Sequence, residues 1–320
     1  MPWLVDRPLP LDAARDLTRF TGELAEQLDD PATDNNEVVR DLLASALHGC
    51  SFAELAERQP LAAFAVEPRN ITFEAEAYVV TDTAKFARVK PLLWLWKCLD
   101  LTPLGQSVAS GVALRRVLAE RIFARAGKNL KIFQNVEVSV GYNLEFGDDV
   151  TIHRNVFIDD IGGVVLHDRA SLSDYANVYS HTHDILNGPD VTLKQTVIGR
   201  GVRVAYHATV LAGTVLSDDS MLGAFALATR DFEPHVIGLG LPAKPRVWKE
   251  RAGDPAFATL QVDARTYPKK PDVRANPDYA EREVAASEKT GQLETGQLET
   301  GQLETGQLEA ERTQNLQPKS

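Results

Sequence analysis

Apolar positions along the chain fall into three regimes. Up to about residue 127 they recur at helical spacing. Leu11, Ala14, Leu17, Phe20 and Leu24 share one helix face. "NNEVVRDLLASALHG" opens on asparagines suited to capping and closes on Gly49. Ser51 and Glu54 have the spacing of a capping box. "PLLWLWKCLDL", residues 91–101, reads as a buried helix, with a membrane-surface patch as the alternative. "NITFEAEAYVV" alternates Ile71, Phe73, Ala75, Ala77 and Val79, which predicts a strand. "SGVALRRVLAERIFARAG" predicts a last helix ending at Gly127.

After Gly127 the period changes to six. Ile198, Val204, Val210, Leu216, Leu222 and Ala228 follow at six-residue steps without a slip. Small or β-branched residues sit four places after these steps begin, at Val202, Ala208, Thr214, Ser220 and Ala226. Phe146, Ile152 and Ile158, then Leu166, Leu172 and Val178, keep the step, with two residues inserted around "IGG". The twenty residues from Val178 to Ile198 equal three sixes plus two. A hexapeptide makes one short strand and one tight turn. Three make a triangular coil, and stacked coils make a parallel β-helix. Aliphatic residues then point inward, small residues fit the corners, and Gly, Asp or Asn take the left-handed turn positions. An evenly spaced sandwich would not hold six for so long.

The third regime is the tail. "TGQLE" occurs four times in tandem over residues 290–309. A period of five steps Leu by ~140° around a helix, so no apolar face forms, and disorder is expected. The predicted layout is a mostly helical region (1–127), a β-helix (128–250), an extension (251–286) and a disordered tail (287–320).

Composition narrows the setting. The 320 residues allow two domains or one with extensions. A net charge of −11 argues against a dedicated nucleic-acid binder. The two cysteines, Cys50 and Cys98, lack metal-type spacing, and a reduced cytoplasmic setting is expected. "MPWLVDRPLP" does not read as a signal peptide, and no apolar run reaches the ~20 residues a membrane span requires.

Candidate chemistry centres on "NVYSHTHDILNGPD", where His181 and His183 precede Asp184 in a chain with seven histidines. "TVIGRGVRVAYHATVLAGTVLSDDSMLGAFALATRDFEPHVIGLGLPAKPRV" resembles the C-terminal half of hexapeptide-repeat acyltransferases. The group is that of the maltose and galactoside O-acetyltransferases and their polysaccharide-modifying relatives. "LGAFALATRDFEP" followed by "GLGLPAKPRV" is similar to the closing signature of that family, and the resemblance spans residues 130–249.

The resemblance implies a left-handed β-helix and a homotrimer with active sites between subunits. It further implies acetyl-CoA or another acyl-CoA as co-substrate, a sugar-like acceptor and no metal. The family's catalytic histidine lies five residues after a repeat start. Counted from Val178, that is His183, with His181 a pocket wall. "SHTHD" departs from the threonine-glycine before, and the proline after, that many relatives carry. His153 follows Ile152, where the resembled enzymes often have an acceptor-touching asparagine. Asp159 and Asp160 stand near their acidic residues, with turn chemistry as the alternative for these positions. Asp184 is placed either to orient the imidazole or to cap the loop. Ala205, Tyr206 and Ala224 would line the pantetheine arm, and Thr229, Arg230, Lys244 and Arg246 would lie near the nucleotide. His167, His207 and His235 read as surface or corner residues.

The chemistry is coherent by itself. Transfer from a thioester to a hydroxyl needs a base for the hydroxyl proton, which histidine supplies near neutrality. Backbone amides on a turn can hold the oxyanion. No serine elbow is present, so direct transfer is expected. Residues 194–251 carry eight Lys or Arg against five Asp or Glu, a basic stretch suited to coenzyme A phosphates. Of the competing β-helix functions, a zinc-dependent γ-type carbonic anhydrase needs three histidines with one pair four apart, and "HTH" offers none. A sugar-nucleotide uridylyltransferase needs a glycine-rich loop ahead of Gly127, and none occurs. A non-catalytic scaffold is opposed by "HTHD" at the catalytic register.

Overall fold

The computed structural model describes residues 8–186, 188, 190–249, 267 and 270–274. Two compact units are formed, Met1–His183 with Thr192–Val273, and Asp184–Val191 with Arg274–Ser320. The predicted 287–320 tail, and most of the 251–286 extension, lie outside the described residues.

Helices α1 (Leu11–Asp29), α2 (Asn35–His48), α3 (Phe52–Arg58) and α4 (Pro60–Val66) open the chain. Asp34 caps α2, which ends on Gly49 at φ 68°, a value that suits glycine. Ser51 and Glu54 form the reciprocal capping box of α3. α5 (Thr83–Leu99) holds the apolar stretch and buries Phe86, Val89, Leu92, Leu93, Leu95, Trp96 and Leu99. It is a core helix, and the membrane-surface alternative falls with that burial. No helix among the described residues is long and apolar enough to cross a membrane. α6 (Pro103–Gln106) and α7 (Val108–Ile122) complete the region.

Two expectations need correction here. The alternating stretch 71–79 is not a strand. It contains a 3-10 turn, Glu74–Ala77, where the Glu76 carboxylate accepts the Phe73 N–H at 2.7 Å and Thr81 Oγ1 donates to Ala75 O at 2.6 Å. These side-chain bonds replace ladder partners, and Val79 is left 82% exposed. The last helix also stops at Ile122 rather than Gly127. Phe123 turns inward against Phe146, and Ala124 N–H donates to Leu144 O, so the chain has already joined the first coil.

The rest of unit one is a parallel β-helix with three faces. On the first face Ile132, Ile152, Leu172, Val204 and Leu222 pair in succession. On the second face the row is Val138, Ile158, Val178, Val210 and Ala228. On the third face it is Phe146, Leu166, Ile198 and Leu216. Apart from Val138, these row residues are essentially inaccessible to solvent. Burying each large aliphatic contributes about 1.5–3 kcal/mol, which explains why the six-residue period is held so strictly.

The edge between the second and third faces is special. From Val138 to Phe146 and from Ile158 to Leu166 it takes eight residues rather than six. The twenty residues from Val178 to Ile198 are not three hexapeptides. Val178 pairs directly with Val210 of the next coil, and Leu166 with Ile198, so only one edge is crossed. The residues between supply no inward-facing aliphatic at the repeat spacing. They form strands His181–His183 and Val191–Leu193 instead.

The helices close one end of the coil. Trp96 Nε1 donates to Val136 O at 2.8 Å, Arg116 Nε to Leu130 O at 2.8 Å, and Asn135 N–H to Asp100 Oδ2 at 2.8 Å. The helical and coil residues share one continuous hydrophobic core. At the other end, strand Val236–Leu239 continues the first face and pairs antiparallel with Lys244–Trp248.

Candidate active site

The long edge gathers the polar residues. Asp159, Asp160 and His181 all follow second-face residues and stack on neighbouring coils. Asp160 is fully buried; its Oδ1 accepts the N–H groups of Ser139 at 3.1 Å and Val140 at 2.9 Å, and Oδ2 accepts Asn143 N–H at 3.3 Å. Burial pushes its carboxyl up to about 6, against the pull of the backbone amides. That geometry satisfies the turn alternative for Asp160, because the carboxylate is consumed by its own corner.

Asp159 is 1% exposed but faces the other way. Its Oδ2 lies 2.5 Å from His181 Nδ1 and accepts the N–H groups of Ser180 at 3.0 Å and His181 at 3.2 Å. Burial works to raise this carboxyl, yet the His181 contact and the Ser180 amide outweigh it and hold it below its ordinary value. The same contact raises the His181 pKa against burial, and the charge of Glu74 adds to the effect. His183 is exposed, and its ring meets the His181 ring edge to face at 5.2 Å between centroids.

Asp184 lies in the second unit. Its Oδ1 accepts the Leu186 N–H at 2.8 Å, and its N–H donates to Asp190 O.

The other sequence candidates occupy different places. His153, Ala205, Tyr206 and Ala224 follow first-face strands and line the edge between the first and second faces. His153 stacks on Phe133 at 5.3 Å, and burial lowers its pKa. Ala205 is buried, while Tyr206 and Ala224 are exposed. One chain therefore puts His153 and the pantetheine candidates on one edge and the histidine pair on another. Thr229 and Arg230 are exposed on the histidine edge, after second-face Ala228. Lys244 and Arg246 are exposed on the end hairpin. His167 packs against Tyr267, His235 Nδ1 lies 3.1 Å from Asp219, and His207 is stacked at a corner.

Sequence reasoning missed two groups. One is an aromatic column on the first–second edge, where Tyr175, His207 and Phe225 stack at 4.7 and 5.0 Å while Tyr206 packs edge-on against all three. These three residues take φ values of 56–61°. The coil register alone would have aligned them. The other is Glu74 with Tyr78, hydrogen-bonded to each other at 2.5 Å. The Glu74 charge acts on His181, and the Asp159 charge on the Tyr78 hydroxyl, and nothing in the local pattern marks them. Among the described residues, no three metal-ligating side chains gather.

No family profile matches the chain. Among curated proteins it is similar to galactoside O-acetyltransferase of Escherichia coli K12, 26% identical over 144 residues, covering 44% of this chain and 71% of that protein. It is also similar to dTDP-4-amino-4,6-dideoxy-D-glucose acyltransferase of Escherichia coli, 26% identical over 167 residues, covering 40% of this chain and 83% of that one. Among solved structures, a galactoside acetyltransferase in complex with coenzyme A aligns over 57% of this chain and 92% of its own, at 24% identity and a TM-score of 0.47. Over its coils, the chain resembles the hexapeptide-repeat acyltransferases of the galactoside and maltose O-acetyltransferase group.

Proposed function

We propose that the chain transfers an acyl group, acetyl first among them, from an acyl-CoA to a hydroxyl of a carbohydrate-like acceptor. An amine is the second choice of nucleophile. Transfer is direct, with His183 as general base, as its five-residue offset from Val178 suggests. The observation that carries this reading is the imidazole pair on the lengthened edge, with its buried carboxylate, in a coil whose relatives are acetyl- and acyltransferases. The local excess of Lys and Arg over residues 194–251 favours an anionic donor.

The reading includes a homotrimer. Pantetheine candidates and histidines lie on different edges of one prism, and a cyclic arrangement of three copies would bring edge to edge. Light scattering should give a trimer mass, and a fully active monomer at micromolar concentration would refute the assembly.

The decisive experiment is acyl-CoA consumption across a panel of sugars, with coenzyme A binding measured in parallel. His183→Ala should abolish transfer while folding and coenzyme A binding persist. His181→Ala should be impaired but keep measurable activity, more than His183→Ala keeps. The reverse ranking would overturn the register.

A further inference from the structure

The carboxylate of Asp159 is surrounded by donors. Besides the Ser180 and His181 amides on Oδ2, its Oδ1 accepts the Ile161 N–H at 3.3 Å and Ser139 Oγ at 3.4 Å. An oxygen pair faced by that many donors is ionised, and an ionised carboxylate only accepts. The His181 nitrogen facing it, Nδ1, therefore carries a proton. The remaining ring nitrogen, Nε2, belongs to a side chain 21% exposed, beside the His183 ring. Among the described residues, the charged and titratable groups that meet His181 include Asp159 on its own edge, Glu74 from the 3-10 turn of the helical region, and His183 beside it. Tyr78, bonded to Glu74, and Asp160 lie beyond Asp159. The carboxylates in this set all favour a positive ring.

We propose that His181, held as an imidazolium by Asp159, donates its Nε2–H to the oxygen that becomes negative when the acceptor attacks the thioester. This rests on the acyl-transfer reading above and gives the two histidines different roles. The acceptor oxygen forms the C–O bond, and its proton passes to His183. The carbonyl π pair moves onto oxygen, where the His181 Nε2–H bonds to it. On collapse the C–S bond breaks, and His183 returns the proton to the departing thiolate. His181 ends the cycle as it began. Asp159 is its positioning residue. A ring whose pKa is raised by a carboxylate stays protonated to higher pH than an ordinary histidine, which suits a donor and not a base.

The test is the pH profile of kcat/KM. A donor works only while protonated, so activity falls as pH rises through the raised His181 pKa. The alkaline limb is the one that belongs to His181. Asp159→Asn should shift the alkaline limb to lower pH, leave the acid limb in place and lower kcat more than it changes KM. His181→Ala should lower kcat by about 10²–10³, the usual cost of one oxyanion donor. His181→Gln, which keeps a neutral N–H, should recover part of that and lose the alkaline limb. Imidazole 15N NMR of the unaltered protein should show His181 Nδ1 protonated and its ring titrating above an ordinary histidine. An Asp159→Asn protein that folds and keeps its alkaline limb would refute the proposal, as would His181 titrating at or below an ordinary histidine. If Asp159→Asn does not fold, the NMR titration decides. A fully active His183→Ala would instead overturn His183 as the base, and no acyl-CoA consumption with any acceptor would sink the acyl-transfer reading; the NMR measurement would still judge the Asp159–His181 pair.

Discussion

Asp159 and Asp160 are adjacent, both buried, and opposite in behaviour. Asp159 has an imidazole to meet its charge and stays ionised. Asp160 has only backbone amides and another carboxylate beside it, and burial wins. A raised folded pKa means that the folded state holds its proton longer than the unfolded one. Asp160 therefore costs stability as pH rises from about 4 to about 6, and the cost is constant above. Asp160→Asn removes that slope. Thermal melts of variant and parent should move in the variant's favour between pH 4 and pH 7, by about 2–3 kcal/mol for a carboxyl pushed up to about 6. Asp160→Ala leaves the Ser139, Val140 and Asn143 amides without their acceptor and should destabilise the protein, by about 1–3 kcal/mol for the buried Val140 N–H alone. An Asp160→Asn difference that stays flat with pH would show that the carboxyl titrates normally.

At the scale of the element, the long second–third edge is held open by close backbone approach. A Cβ on Gly162 would lie 2.0 Å from Ser180 O, the residue before His181, and the Gly162 N–H donates to Ser180 Oγ at 2.8 Å. Gly162→Ala must push the coil carrying the histidines away from Asp159. We expect lower kcat together with a lower Tm, because the strain falls on the strand that aims His181. The rows behind that edge respond differently. Ile152→Ala opens a cavity in a closed stack and should cost about 2–5 kcal/mol in denaturant unfolding, with the activity of the remaining folded enzyme little changed.

At the scale of the whole molecule, the helical region is the lid on the open end of the β-helix. Its attachment runs through a buried ion pair, Arg115 with Asp100, whose carboxylate also receives the Asn135 N–H from the first coil. Arg115 is 1% exposed. Asp100→Ala would strand that cation, a loss of about 3–5 kcal/mol. Because the same contact joins cap to coil, calorimetry should show one lowered transition. Two separated transitions would mean that cap and coil unfold independently. The region also carries Glu74 to the histidine edge, so the cap contributes to the site's electrostatics as well as to closure.

The coils were legible residue by residue, because a β-helix repeats one local decision. An aliphatic residue every sixth position points inward, and a break in that row leaves a hole. The helices of residues 11–122 were legible for the same local reason, through caps and spacing. The strand expected at 71–79 failed because the Glu76 and Thr81 side chains took the backbone bonds that alternation promised to a sheet. The imidazole pair, and the position proposed for the base, could be counted from Val178. The bond from Asp159 to His181 could not, since it links residues 22 apart on neighbouring coils and depends on Ile158 stacking on Val178. The Glu74 charge near His181 was further out of reach, because it arises from packing a helical region onto a coil. Period and composition determine which residues point inward, since burial is decided by each residue's own chemistry. Which polar side chains meet is decided only when separate coils and the cap are stacked, since hydrogen bonds and charge pairs depend on distances that the chain order does not contain.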